Sequence, residues 1–544
     1  MAIQLNVPQI SGRVIAEVET RPERVKKWLA ELPLLNIAET ARKVLSQLSI
    51  SNRVGVAPDT RFEMAELYRY TTNQVTLELQ KQYIGLPLPL PDKNKSVAEH
   101  ARQLQLEMAF AYKWVVLDLS KLPEAELRQK HARRLALAIQ RAIHYLTEAI
   151  VISYESYSPP PIGHWLELHT LYRHAENLGL AEIEVDDICN RATQKSSVAN
   201  AYKQALLLDV SDPYHLNARQ VDKIYQYLDR WSHLASILPA QVNFDPTCQF
   251  LTDLSADRSG VLYTPDTLLE DPQRFRLLNT VELARKVHTQ WTSLMRDEEV
   301  PAEGLPAGFY ADSHELLKRL INVWGLHPKR VFRRNARLDQ EIDVAIGIDA
   351  INYWLNGGVK FVVSSSFVGP TPQRTHVGPR ENKTIEIHSD DLEYGRWDII
   401  DESAGGLSLS KKGVIKTRVR VGDLLGLRTP GEGTAWTVAS VRWLRSANPS
   451  SVEIGVQRLT PSAEAVVIKT LSDKNLESDF MPALLLPEIK ALNTPPTLVV
   501  PCGVFRPDRT LYLDNGYRLS KITATKLLES TSAFERLVFQ VVSD

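Results

Sequence analysis

Apolar residues recur at helical spacing through roughly the first 235 positions of the chain and at strand spacing through its last third. Val97, Ala101, Leu104, Met108, Ala111 and Val115 step by fours and threes, which places them on one helical face. Leu135, Ile139, Ala142, Leu146 and Ile150 predict a second long helix. It stops at Ser158-Pro159-Pro160-Pro161, because proline removes a backbone donor and disfavours the helical region in the residue before it.

After that corner, Trp165, Leu168 and Tyr172, then Tyr202 and Ala205, have the spacing of a tetratricopeptide helix pair. His169 stands where that repeat has glycine, the intervening loop is too long, and no period of about 34 residues recurs. The expectation is therefore a TPR-like but irregular helical array. Beyond residue 240, Gln249–Thr252 and Gly260–Tyr263 read as short strands and Thr280–Leu294 as a helix. Asp312 with Glu315 predicts a capping box for a helix whose apolar face is Leu316, Leu317, Leu320, Ile321 and Trp324. Gly325 is expected to end it in the left-handed region, and Pro328 to prevent its continuation.

Strand patterns then follow closely. Ile342, Val344, Ile346 and Ile348 alternate with Asp343, Ala345, Gly347 and Asp349, as in a strand with one buried face. A short helix is expected at Ala350–Leu355, ending at Gly357 and Gly358. Further strands are predicted at Val359–Ser364, Thr384–His388, Arg396–Ile400, Leu407–Ser410, Lys416–Arg420, Trp436–Leu444 and Val452–Leu459. Another group lies at Thr497–Phe505, Thr510–Asp514, Arg518–Leu528 and Arg536–Val542. Many short antiparallel strands separated by turns suggest a closed barrel, which leaves no exposed sheet edge. The last group reads equally as a second β module or as an extension of the first.

The chain has 544 residues, 44% hydrophobic and 24% charged, which is the composition of a folded multidomain protein. Sixty-four lysines and arginines balance 65 acidic residues, so no overall field draws it to nucleic acid or to an anionic membrane. Cys189, Cys248 and Cys502 are far apart and odd in number, which suits a reducing compartment and gives no zinc pattern. The first residues lack the basic start and apolar core of a signal peptide, and no run of about 18 apolar residues occurs, so a cytoplasmic protein without a membrane span is expected.

Two polar motifs stand out among the strands. Arg330, Arg333, Arg334 and Arg337 crowd four guanidinium groups into an extended stretch just before the strand at Ile342. Asp401, Ser403, Gly405 and Gly406 lie in a turn between the strands at Arg396 and Leu407. Arginine's planar fork suits phosphate oxygens or guanine O6 and N7, and its flat face stacks on a purine. A carboxylate accepts from guanine N1–H and N2–H₂, a serine hydroxyl bonds a phosphate or base edge, and glycine lets the backbone come close.

An Arg-x-x-x-Arg motif ahead of the first barrel strand, followed by Asp-x-Ser-x-x-Gly in a later turn, resembles the PilZ domain. Arg333 with Arg337, and Asp401 with Ser403 and Gly406, match it over about residues 326 to 470. An insertion at about 349–395 departs from the family pattern. The resemblance implies a six-stranded antiparallel β-barrel that binds the bacterial second messenger cyclic di-GMP without acting on it. Arg333 and Arg337 would bind phosphate and guanine, Arg334 or Arg330 would add a stack, Asp401 and Ser403 would face a guanine, and Gly405 and Gly406 would shape the turn.

The expected organisation is multidomain α+β: a helical domain at 1–238, a mixed region at 239–325, the PilZ-like barrel at 326–475 and a β module at 480–544. The expected function is a cytoplasmic, non-enzymatic cyclic di-GMP receptor that couples binding to domain reorientation and to a protein partner on its helical part. The alternative is a PilZ-like scaffold that binds protein and no nucleotide. Enzyme chemistry finds no support, since Asp401 occupies the position where a serine nucleophile elbow needs glycine. His164, His169 and His174 are five apart, so they do not share the helical face that metal ligands at i and i+4 would.

Overall fold

The computed structural model of the protein describes every residue except 1–2, 12–18, 241–247, 265–270, 327–334, 337–339, 364–391, 393, 414, 416–417, 432–434, 449, 471–478, 489–493 and 543–544. It divides into two compact units, one of residues 1–86 with 90–329 and the other of 87–89 with 330–544.

The first unit is mostly helical. Its helices are α1 (Pro22–Ala30), α2 (Ile37–Ser51), α3 (Pro58–Gln80), α4 (Asp92–Leu119), the single turn α5 (Glu124–Glu126), α6 (Ala132–Glu155), α7 (His164–Asn177), α8 (Val198–Val210), α9 (Ala218–Trp231), α10 (Val281–Met295) and α11 (His314–Ile321). Two short strands, β1 (Val185–Asp186) and β2 (Lys195–Ser196), pair between α7 and α8. Strands β3 (Ser236–Pro239), β4 (Gln249–Asp253), β5 (Val261–Leu262) and β6 (Phe275–Asn279) form a small sheet in the order β3-β6-β4-β5. The stripes read from the sequence are the core of this unit, with Ala101, Leu104, Met108 and Val115 of α4 and Leu135, Ile139 and Ala142 of α6 fully buried. The stretch Glu124–Glu155 is long and apolar enough to cross a membrane, but most of it is buried within this core.

The three spaced histidines have separate surroundings. His169 is fully buried, with Nδ1 2.6 Å from the Tyr202 hydroxyl and Nε2 2.8 Å from the Arg258 carbonyl. The carbonyl requires a proton on Nε2, so Nδ1 accepts from Tyr202. His169 thereby ties α7 to α8 and to the loop after β4, while His174 meets Ser120 Oγ at 3.0 Å.

Helix α11 departs from its expected ends. Its N-cap is Ser313, one residue later than Asp312, and no side-chain cap bond forms there. At the other end Gly325 sits within a wider turn, Asn322–Leu326, that continues the helix. Trp324 holds this turn: it is fully buried, its Nε1 donates to Leu207 O at 3.3 Å, and its carbonyl accepts from Thr280 Oγ1 at 2.6 Å. A buried anchor with both polar groups satisfied outweighs the helix-ending tendency of glycine.

Four carboxyls, Glu148, Glu155, Asp222 and Asp229, line one cleft of this unit, and burial raises the pKa of each. Burial pushes Glu148 up to about 7 and Asp229 up to about 8, against ordinary values of 4.5 and 3.8. Between those limits these carboxyls hold protons that the unfolded chain has released, so their contribution to stability falls as pH rises, against a smaller opposite contribution from His144, which burial holds down to about 4. Urea midpoints of the helical unit in the full-length protein are expected to fall from about pH 5 to about pH 8. Asp229→Asn should flatten that slope.

The second unit contains two barrels. The first is built from β8 (Glu341–Ile346), β9 (Tyr394–Ser403), β10 (Gly406–Lys412), β11 (Leu424–Arg428), β12 (Thr437–Asn448) and β13 (Ser451–Thr460), with β7 (Asn335–Ala336) added beside β9. The sheet order β10-β13-β12-β11-β8-β9 closes because β9 pairs back onto β10. Leu424–Arg428 supplies a strand the residue pattern did not reveal. The strand expected at Lys416–Arg420 contributes only Val419, in an isolated bridge to Leu88, with residues 416 and 417 outside the described residues. Val359–Ser364 is likewise no strand over its described part, where Val362 makes a single bridge. The strand expected at Thr384–His388 lies outside the described residues.

Strand β8 buries both faces, with Asp343 and Ala345 covered as well as Ile342 and Val344. Its second face is covered by helix α12 (Ile348–Leu355), which starts at Gly347 with φ +87° and ends at Gly357 and Gly358, both at φ +77°. Asp343 is held by Arg428, whose Nη2 donates to Oδ2 at 2.8 Å.

The second barrel consists of β14 (Glu464–Thr470), β15 (Met481–Leu486), β16 (Thr497–Val500), β17 (Thr510–Asp514), β18 (Leu519–Ser530) and β19 (Glu535–Val541), closed in the order β14-β15-β16-β19-β18-β17. The two barrels share a core in which Ala345, Ile351, Leu424 and Trp436 of the first meet Leu484, Leu486, Val499 and Phe534 of the second. Within it, Asn352 of α12 is fully buried and its Nδ2 donates to Val466 O at 2.8 Å and to Ala483 O at 2.9 Å. Arg442 and Glu529 add an ion pair at 2.7 Å between the barrels.

Candidate functional site

The site is assembled where β9 turns into β10. Ser403 and Gly406 are paired across the turn, so Ala404 and Gly405 form a two-residue hairpin loop. The ladder slips between Ser408 and Leu409, leaving Ile400 as a bulge that resets the alternation of the residues beyond it. Alternation then puts Asp401 and Ser403 on one face of β9 and Glu402 on the other. All three are half-buried. Ser403 Oγ donates to Gly406 O at 3.2 Å, which fixes the hydroxyl at the mouth of the turn.

Gly406 is required by the barrel wall itself. A Cβ there would lie 2.0 Å from Val456 O and 3.1 Å from its carbonyl carbon, because β10 and β13 approach closely. Backbone in a closed barrel cannot retreat as a side chain can. Gly406→Ala is expected to destabilise the barrel by about 1–3 kcal/mol in urea unfolding of the full-length protein.

The arginine motif meets this turn through its backbone. Asn335 and Ala336, the described part of that stretch, form β7 and pair antiparallel with Glu402 and Asp401. Farther along, Ile399 N donates to Gln340 O at 2.8 Å, and Glu341–Ala345 pair with Asp398–Tyr394. Two described stretches, Asn335–Ala336 and Gln340–Ala345, thus lie beside β9 at its two ends. Arg330, Arg333, Arg334 and Arg337 themselves lie outside the described residues.

Two residues at the turn escaped the sequence reading. Arg458, on β13, donates from its backbone N to Gly405 O and from Nη1 to Ser403 O, both at 3.0 Å. Its Nη2 reaches Glu402 Oε1 at 2.5 Å. Arg458 is 55 residues downstream of Ser403, and only the closure of the barrel brings them together. At the same barrel end a cavity of about 190 Å³ is lined by Ile342, Leu407, Leu427, Thr437 and Arg458.

The comparisons with known proteins bear on this geometry. The family model described as the middle PilZ domain of the cyclic-di-GMP receptor FimW matches residues 250–384 and 370–465. This is a PilZ-domain protein. The models for the N-terminal domain and the C-terminal β-barrel domain of the same receptor match residues 23–241 and 466–542, on either side of the PilZ match. The cyclic-di-GMP receptor FimW of Pseudomonas aeruginosa is 26% identical over 585 aligned positions, which span 99% of this chain and 93% of that protein. No solved structure matches the chain. The PilZ barrel, the helical region before it and the barrel after it therefore recur together in a relative of similar length.

Proposed function

We propose that this protein is a receptor for cyclic di-GMP, acting by binding and without chemistry on the ligand. The observation that carries the reading is the β7–β9 ladder, in which Asn335 and Ala336 pair with Glu402 and Asp401. The full-length similarity to a protein named as a cyclic di-GMP receptor supports it. In this reading Arg333 and Arg337 take phosphate and guanine, Arg330 or Arg334 stacks, Asp401 and Ser403 read a guanine edge, and Gly405 and Gly406 give the ligand access to backbone.

The arginine stretch begins where the chain passes from one compact unit to the other, at Lys329 and Arg330. Drawing that stretch onto a ligand would change the orientation of the units and so present or hide a partner surface on the helical unit. The ligand can shift this equilibrium only as far as its affinities for the two arrangements differ.

Calorimetric titration of the purified full-length protein is expected to show saturable binding of cyclic di-GMP at micromolar concentrations; no heat of binding there would overturn the receptor reading. Small-angle X-ray scattering with and without ligand tests the coupling. An unchanged scattering profile at saturation would leave a receptor without reorientation.

A further inference from the structure

We infer that Arg458 is a positioning residue of the nucleotide site, a clasp that holds the Asp401–Gly406 turn in the form that receives ligand. The inference rests on the receptor reading above. The β10–β13 ladder ends at the pair Gly406 and Gln457, so Arg458 is the first residue beyond it and its side chain reaches across the turn. There it engages three features of the turn: the carboxylate of Glu402, the carbonyl of Ser403 and, through its own backbone, the carbonyl of Gly405. Ser403 is thus held through its backbone by Arg458 while its hydroxyl is held by Gly406.

The cavity at this barrel end shows why a clasp is needed. Side-chain packing fixes most turns from beneath, but beside this one Leu407, Ile342 and Leu427 border about 190 Å³ of open space. Hydrogen bonds from Arg458 take over that role. A turn held in its binding form before the ligand arrives avoids the ordering cost that binding would otherwise bear. Arg458 therefore acts on affinity through the direction of Asp401 and Ser403, with Glu402 anchoring the guanidinium so that it stays on the turn.

Full-length protein serves for the test. Arg458→Lys keeps a cation on β13 but replaces the planar fork with a point charge that cannot serve two oxygens in the same geometry. It is expected to bind cyclic di-GMP at least tenfold more weakly, about 1.4 kcal/mol, with the melting midpoint of the ligand-free protein unchanged. Amide exchange should accelerate at residues 403–406 and nowhere else in the barrel. Unchanged affinity overturns the inference, and so does a fall in the ligand-free midpoint that accounts for the whole loss. Exchange is read without ligand, so a wild-type protein that binds no cyclic di-GMP overturns the receptor reading, while the clasp still stands or falls on exchange at the turn. Glu402→Gln, which keeps an oxygen acceptor but removes the charge that anchors the guanidinium, is expected to weaken binding less than Arg458→Lys does. Tighter binding by that variant would mean that Glu402 competes with the ligand for Arg458, and would overturn the positioning role.

Discussion

Alanine at both Arg333 and Arg337 is expected to weaken cyclic di-GMP binding by at least about a hundredfold, the loss of roughly 2.7 kcal/mol. A hydrogen bond to a charged group contributes about 1.5–3 kcal/mol, and each arginine fork offers two such bonds to a phosphate or to a guanine edge. Losing both forks therefore removes more than the hundredfold threshold requires, even if each makes only one good bond. Lysine at both positions should fall between, since it restores charge without the paired donors or the flat stacking face. The lysine variant should also lose more of its affinity as salt is raised, because its remaining attraction is largely that of a screened point charge. Calorimetry at two salt concentrations separates the three proteins. Undiminished binding by the alanine variant would remove the arginine stretch from the site.

Asn352→Leu is expected to cost about 2–5 kcal/mol at the junction of the two barrels. The substitution is close in volume, so it tests polar pairing more than packing. Asn352 is fully buried, and its Nδ2 donates to both Val466 O and Ala483 O. A leucine leaves both carbonyls facing an apolar group, and each buried polar group that loses its partner costs about 1–3 kcal/mol. Hydrogen exchange on β14 and β15 in the full-length protein reads this directly, because those strands report the opening of the second barrel. A change below about 1 kcal/mol would be no more than an average substitution, and would show that water replaces the amide at little cost.

The turn that carries Asp401, Ser403 and Gly406 was legible from residues alone, and the reasons its surroundings were not are physical. Asp401, Ser403 and Gly406 could be read because a hairpin writes its signature locally: alternating strands on either side and small polar residues between. Arg458 could not, since a residue 55 positions away joins the turn only after six strands have closed into a ring. Burial of both faces erased alternation in Leu424–Arg428, Glu464–Thr470 and Met481–Leu486, so three strands that complete the two barrels gave no strand period. Gly325 misled for the opposite reason, a strong local signal overridden by a distant contact of Trp324. Asn352 lay in a helix correctly expected near Ala350–Leu355, but its role belongs to a barrel that begins more than a hundred residues later. The last strands, read as either a separate module or an extension, are both in a sense: they close into their own barrel and share a core with the first.

That shared core has a consequence for how this part of the chain can be inherited and dissected. Ile351 and Trp436 on one side and Leu484 and Phe534 on the other are buried by each other, so neither barrel completes its interior alone. The natural unit of exchange between proteins is then the pair. A fragment that stops after β13 would expose apolar surface meant for β15 and for the β18–β19 hairpin, and should be recovered as aggregate, whereas residues 330–544 should melt in a single cooperative transition.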